Sequence, residues 1–78
     1  MKPPPFTQSQ RRALAAIVEY QVDNGRLGLA FTFQLAAHFP MLHHVPARQL
    51  VEQFAWSLCQ LEARGILKHW EVEIALRF

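Results

Sequence analysis

The sequence predicts an α+β fold in which three helices pack on a small antiparallel sheet, in the order helix, strand, helix, helix and then one or two strands. Apolar residues recur at helical spacing in three segments, which predicts the helices. The residues from Trp70 to Phe78 alternate between apolar and mostly polar, which predicts a strand. Gly65 separates the last helix from this alternating run. Residues 7–78 form one predicted domain, and residues 1–6, with three prolines, form an extended arm.

The first helix is predicted from about residue 8 to about residue 23. In the motif "TQSQ", the Thr7 hydroxyl can accept from the amide of Gln10, and the Gln10 side chain can reach back, which is a capping box. Asn24 and Gly25 tolerate the left-handed backbone that ends a helix. The apolar residues at helical spacing are Leu14, Ile17, Val18 and Val22.

A very short strand and a short helix are predicted next. In "RLGLAF", Leu27, Leu29 and Phe31 alternate with smaller residues, which is typical of a strand. The stretch "TFQLAAHFPM" then predicts a helix that ends before Pro40, because proline cannot continue a helix. This helix would turn an inner face made by Leu35, Ala36 and Phe39 towards the core.

The third helix, "PARQLVEQFAWSLCQLEARG", is the longest. Pro46 suits the first helical position, where its missing N–H costs nothing. Gly65 follows the helix as a left-handed cap, and Ile66 falls where it can touch Leu61, as in a Schellman ending. The apolar stripe has spacings of four, four and three residues: Leu50, Phe54, Leu58 and Leu61.

The alternating segment at residues 70–78 predicts the strand that closes the sheet. Residues 66–69 form either a shorter preceding strand or the start of one longer strand, because "KHWEVE" offers no residue suited to a tight turn. An apolar strand with an unpaired edge can pair with a second copy across a two-fold axis. The sequence therefore predicts a homodimer, with Trp70, Val72 and Ile74 at the protein interface.

Composition limits the classes of function. Hydrophobic residues make up 51% of the chain and charged residues only 18%, so a small globular body should leave apolar surface for a partner. The net charge of +2 permits nucleic-acid binding but does not require it. Cys59 is the single cysteine, which favours a reducing, cytoplasmic location. No apolar run approaches the roughly 20 residues of a membrane span, and we expect no signal peptide.

Three segments carry a resemblance to a known superfamily. The segment "TQSQRRALAAIVEYQVDNGRL" resembles the first helix of the DNA-binding domain of SOS-type repressors. "QLAAHF" resembles the "ELAxxL" second helix of many regulators, and "LCQLEARGIL" resembles the pattern "LxxLExxGxL" that leads into a wing. Together with the order of elements, they resemble the winged helix-turn-helix superfamily over nearly the whole chain.

This resemblance implies a transcriptional regulator that binds double-stranded DNA with its third helix in the major groove. Carried onto this chain, the base-contacting positions are Arg48, Gln49, Glu52 and Gln53, whose side chains suit guanine, adenine or cytosine. Phosphate contacts would come from Arg11, Arg12, His43 and His44.

Three features depart from that pattern. The stretch from Phe39 to Pro46 is longer than the usual tight turn, Trp56 lies on the polar side of the third helix, and the wing region carries Glu71 and Glu73. The alternative is a protein-binding module of the same fold, such as a small phage-type inhibitor of a host protein. Trp56 would then anchor a protein interface, or else cover the edge of the core.

The chemistry of an enzyme or a metal site is not expected. The sequence contains no glycine-rich phosphate loop, paired-carboxylate motif or nucleophile elbow. The histidines lack the ligand spacing of a metal site, so we expect no metal and no cofactor. Arg48 and Glu52, assigned above to base contacts, lie four residues apart, so their opposite charges can equally form an ion pair on the helix surface.

Overall fold

Four α-helices and one 3₁₀ helix form within residues 5–78, the part of the chain that the computed structural model describes. Within these residues the chain forms no strand, so the predicted α+β fold with its antiparallel sheet is wrong, and the fold is all-helical. The elements are α1 (Gln8–Asp23), α2 (Leu29–Ala36), the 3₁₀ helix (Pro40–Leu42), α3 (Ala47–Ala63) and α4 (His69–Arg77).

Helix α1 has the predicted bounds and the predicted cap. The Gln10 amide donates to Thr7 Oγ1 at 3.1 Å, and the Thr7 amide donates to Gln10 Oε1 at 2.7 Å, which completes the capping box. At the other end Gly25 has a φ of 66°. The amide of Arg26 reaches back to the Gln21 carbonyl at 2.9 Å, as in a Schellman motif.

The short strand predicted around residues 27–31 is wrong, because helix α2 already begins at Leu29. Gly28 is the N-cap, and its carbonyl accepts from both the amide and the hydroxyl of Thr32. This helical turn satisfies the backbone internally, whereas a strand there would need a neighbouring strand. The predicted second helix is therefore confirmed in type, but it starts earlier and ends at Ala36.

Helix α3 confirms the third predicted helix. Pro46 is the N-cap, one position before its predicted place. Gly65 has a φ of 78°, and the Ile66 amide donates to the Leu61 carbonyl at 2.9 Å, which confirms the Schellman ending. Of the predicted stripe, Leu50, Phe54 and Leu58 are buried, and Leu61 is partly buried.

The strand predicted at residues 70–78 is wrong, since His69–Arg77 form α4. A run of alternating residues also repeats every fourth residue, so the same letters satisfy a helical period. The Glu71 carboxylate accepts from the Lys68 amide at 2.9 Å and caps the first turn. The helix turns Val72 inward while Trp70 and Ile74 point outward. Residues 5–78 therefore contain no wing and no strand edge through which two copies could pair.

The core lies between the four helices and includes Phe6, which the sequence assigned to the extended arm. Residues 1–4 of that arm lie outside the described residues. None of the helices described combines the length and apolar character needed to cross a membrane. The buried apolar residues are Phe6, Ala13, Leu14, Ile17, Val18, Ala36, Leu42, Leu50, Phe54, Leu58, Leu67, Val72 and Ala75.

Candidate functional site

Two open grooves lie in line along the surface where α1 and α3 run side by side, which we call the α1/α3 face. The larger groove, about 610 Å³, lies beside the C-terminal halves of both helices, and its floor includes Val18, Val22 and Leu61. The smaller groove, about 280 Å³, lies beside the start of α1. Three residues line both grooves: Ala15, Trp56 and Ser57.

Trp56 separates the two grooves and remains 53% exposed. The guanidinium carbon of Arg11 lies 5.8 Å from the centre of the indole ring, a cation–π distance. Phe6 lines the smaller groove together with Trp56. The indole is therefore supported from the side of the smaller groove while about half of its surface stays open to solvent.

The outward row of α1 carries charges of opposite sign at its two ends. Arg12 lines the smaller groove, and Glu19 and Asp23 line the larger one. Neither Arg12 nor Glu19 forms an ion pair with another residue in the described range. Exposed Ala15 and Ala16 lie between them, so the middle of the row is small and its ends are charged.

A second apolar patch lies on α4. Trp70 is 59% exposed and Ile74 is 44% exposed, and both line a groove of about 250 Å³ between α4 and the end of α1. Val22 lines this groove as well as the larger groove of the α1/α3 face. The two apolar surfaces are therefore continuous around the C-terminal end of α1.

The residues predicted to contact DNA bases are only partly brought together. Arg48 Nε lies 3.6 Å from Glu52 Oε1, so these two side chains pair with each other, and both are well exposed. Gln53 instead lines the smaller groove with Arg11 and Arg12. Gln49, in the same first turns of α3 as Arg48, is partly buried.

The segment before α3 also differs from a helix-turn-helix. Residues 37–46 separate α2 from α3 and contain the 3₁₀ helix. His43 Nε2 lies 2.7 Å from the carbonyl oxygen of Ala37, so this ring bonds to the backbone of its own loop. His44 is exposed. The loop holds the two histidines beside the start of α3 without the tight turn that the resemblance implied.

Of the residues predicted at a protein interface, Trp56, Trp70 and Ile74 are exposed, and Val72 is only 4% exposed and belongs to the core. Ile66, which was not predicted at an interface, is exposed and lines the larger groove. The charged row of α1 was not predicted either. A signal for that row was present, because residues 8, 12, 15, 19 and 23 recur every three or four positions and none of them is a large apolar residue.

His69 joins the end of α3 to α4. Its Nδ1 lies 3.2 Å from the Glu62 carboxylate, and its Nε2 lies 3.0 Å from Glu73 Oε1. The hydrogen bond to Glu62, together with the negative charges of both carboxylates, raises the pKa of His69 above its usual value. Among residues 5–78, no group of three or more metal-ligating side chains is placed to hold an ion. The His69 ring bridges α3 and α4 through its contacts with Glu62 and Glu73.

The geometry defines the class of this protein as a small all-helical globule with a continuous exposed apolar surface. No model of a protein family, no curated protein and no solved structure matches the chain.

Proposed function

We propose that this chain is a protein-binding module whose principal binding surface is the α1/α3 face. The observation that carries the proposal is the exposed indole of Trp56 between two grooves on a packed helical scaffold. Tryptophan is enriched among the residues that dominate binding energy at protein interfaces. The unpaired Cys59 supports a reducing, cytoplasmic location for this binding.

The chemistry of the larger groove suits a helical or extended segment with apolar side chains. Two helices form its walls, and its floor is apolar, as in complexes where one helix lies in a groove of another protein. Trp56 still exposes about half of a side chain that buries roughly 200 Å² when fully covered. Covering the remainder would contribute roughly 2–3 kcal/mol at about 25 cal/mol per Å².

Binding to duplex DNA is the competing function, and one observation favours it. Arg11, Arg12 and Gln53 line a common groove, which gathers two cations and an amide on one surface. Other observations favour protein binding. Arg11 packs over Trp56, Arg48 is paired with Glu52, and residues 66–78 provide no wing to hold a DNA backbone.

Site-specific photo-crosslinking in cells that produce the protein tests the proposal. A crosslinking amino acid replaces Gln60, an exposed residue of the larger groove, and in a control it replaces Gln34, an exposed residue of α2 that lines none of the three grooves. We expect a discrete protein adduct from position 60 and none from position 34. Adding Trp56→Ala should remove it. The proposal would be contradicted if position 60 gave no adduct, or if positions 60 and 34 gave the same adducts.

A further inference from the structure

We infer that the protein bound at the α1/α3 face is a second copy of this chain, docked antiparallel so that the two Trp56 side chains meet near a two-fold axis. The inference rests on the proposed function and names its partner. Such an interface is isologous, which requires that the face be complementary to itself. The charges of α1 meet that requirement.

The outward row of α1 is self-complementary in one register. If two α1 helices cross antiparallel at Ala15 and Ala16, residues whose numbers add to 31 lie opposite each other. Arg12 then faces the partner's Glu19, and Gln8 faces the partner's Asp23. Small residues at the crossing point let the two helices approach closely. Each copy thus supplies one cation and one anion to two identical charge pairs.

The same charges disfavour the other arrangements. Arg12 and Glu19 are seven residues apart, which is about 10.5 Å along a helix, so they do not pair within their own α1. In a parallel dimer Arg12 would face the partner's Arg12, and the like charges would repel. In the antiparallel arrangement, by contrast, Arg12 and Glu19 each face a side chain of opposite charge on the partner.

Helix α3 fits the same two-fold axis. It runs in the same direction as α1, because Gln53 lies beside the start of α1 in the smaller groove and Arg64 lies beside its end in the larger one. Trp56 is level with Ala15, which places it close to the axis. The larger groove of one copy then faces the smaller groove of the other, and the two indoles cover each other's open surface.

The size of the face sets the strength we expect. Two helices, each about 25 Å long and about 10 Å wide, present roughly 500 Å² to a partner. That is near the lower end for specific interfaces. The dimer should therefore be reversible, and its fraction should depend on protein concentration.

Sedimentation equilibrium over a range of protein concentrations tests the inference. The mass should rise from 9.0 kDa towards twice that value as concentration increases. Arg12→Glu and Glu19→Arg each place like charges opposite each other, so each variant alone should associate at least about tenfold more weakly. Arg77→Glu changes the charge on α4 and serves as the matched control.

Mixing the two variants gives the decisive result. Arg12→Glu has two acidic residues at these positions and Glu19→Arg has two basic ones, so an equimolar mixture should form a heterodimer at concentrations where each variant alone is mostly monomeric. The double variant Arg12→Glu/Glu19→Arg should regain self-association. Circular dichroism should show that each variant is folded, because both positions are exposed.

Three results would overturn the inference: a wild-type mass of 9.0 kDa at every concentration, single variants that associate as tightly as the wild type, or a mixture that associates no more tightly than either variant alone. The proposed function is judged separately by the crosslink at position 60. An adduct with a different protein would support protein binding while refuting the second copy as the partner. An adduct of twice the chain mass would support both.

Discussion

Gln21 of α1 donates a hydrogen bond from Nε2 to the hydroxyl oxygen of Thr32 on α2 at 2.7 Å, and both residues are buried. Gln21 Oε1 also accepts from the Gly28 amide at 2.9 Å. The Thr32 hydroxyl donates to the Gly28 carbonyl at 3.0 Å. These bonds connect α1, the turn and the first residues of α2 in one buried network. Because a buried polar group is costly when it lacks a partner, the network specifies how α2 begins.

We expect Gln21→Leu to lower the free energy of unfolding by about 1–3 kcal/mol, because it leaves the buried Gly28 amide without an acceptor. Urea denaturation measures the change. Gln34→Leu is the matched control, since Gln34 is exposed on α2 and its substitution should change stability by less than about 0.5 kcal/mol. Equal effects of the two substitutions would show that the network contributes nothing to stability.

The helical state of residues 69–77 predicts a contrast between two neighbouring apolar residues. Val72 is buried and Ile74 is exposed. We expect Val72→Ala to cost about 2 kcal/mol through a core cavity, and Ile74→Ala to cost less than about 0.5 kcal/mol in the monomer. Thermal or urea denaturation of both variants gives the comparison. A strand would place the two side chains on one face, so similar losses would argue for the strand.

Helices α1 and α3 were predictable because several local signals agree in each. In α1 a capping box at Thr7 and a left-handed glycine at Gly25 bound one apolar stripe. In α3 the stripe ends at a Schellman motif around Gly65. These signals depend on residues within about one helical turn of each other, so they do not require knowledge of the tertiary fold.

The last segment was not predictable from its alternation alone. Trp70, Ile74 and Phe78 are spaced four residues apart, which is twice the two-residue period of a strand and also about one turn of a helix. The absence of a turn residue before Trp70 argued against a hairpin, and a strand without a neighbour leaves backbone groups unpaired. A helix pairs them internally, and the cap from Glu71 to the Lys68 amide begins it. In this helix Trp70 and Ile74 are exposed, whereas the strand pattern placed them on the same buried face as Val72.

The candidate site was predictable residue by residue but not as a surface. The exposure of Trp56 followed from its place on the polar side of α3, and that of Trp70 and Ile74 was not apparent until α4 was known to be a helix. The line of two grooves depends on how α1 packs beside α3. Such packing brings together residues about 40 positions apart, and no local pattern reports it.

We expect the bridge made by His69 to stabilise the fold below the usual pKa of histidine and to weaken as pH rises above it. The folded-state pKa of His69 lies above its unfolded value of about 6.5. The stabilisation is therefore fully present below the unfolded pKa and is lost as pH rises through the folded pKa. An NMR titration of the ring protons should give a midpoint above the usual value, and urea midpoints should fall across the same pH window.

His69→Gln should flatten the pH dependence of the urea midpoint, because it removes the ring that contacts both Glu62 and Glu73. A His69 midpoint at or below its usual pKa would contradict the bridge to Glu62 and Glu73.

A duplex-binding titration at two salt concentrations separates protein binding from DNA binding. Each phosphate contact contributes a slope of about −0.9 to log affinity against log salt, so contacts from Arg11, Arg12 and Arg48 would weaken binding roughly 40-fold between about 50 and 200 mM salt. For a protein-binding module we expect no retention on duplex, measured by fluorescence anisotropy, and no effect of Arg48→Ala. Affinity that falls this steeply with salt and weakens in Arg48→Ala would instead assign the basic side of the smaller groove and the start of α3 to DNA, because counterion release is specific to neutralised phosphates.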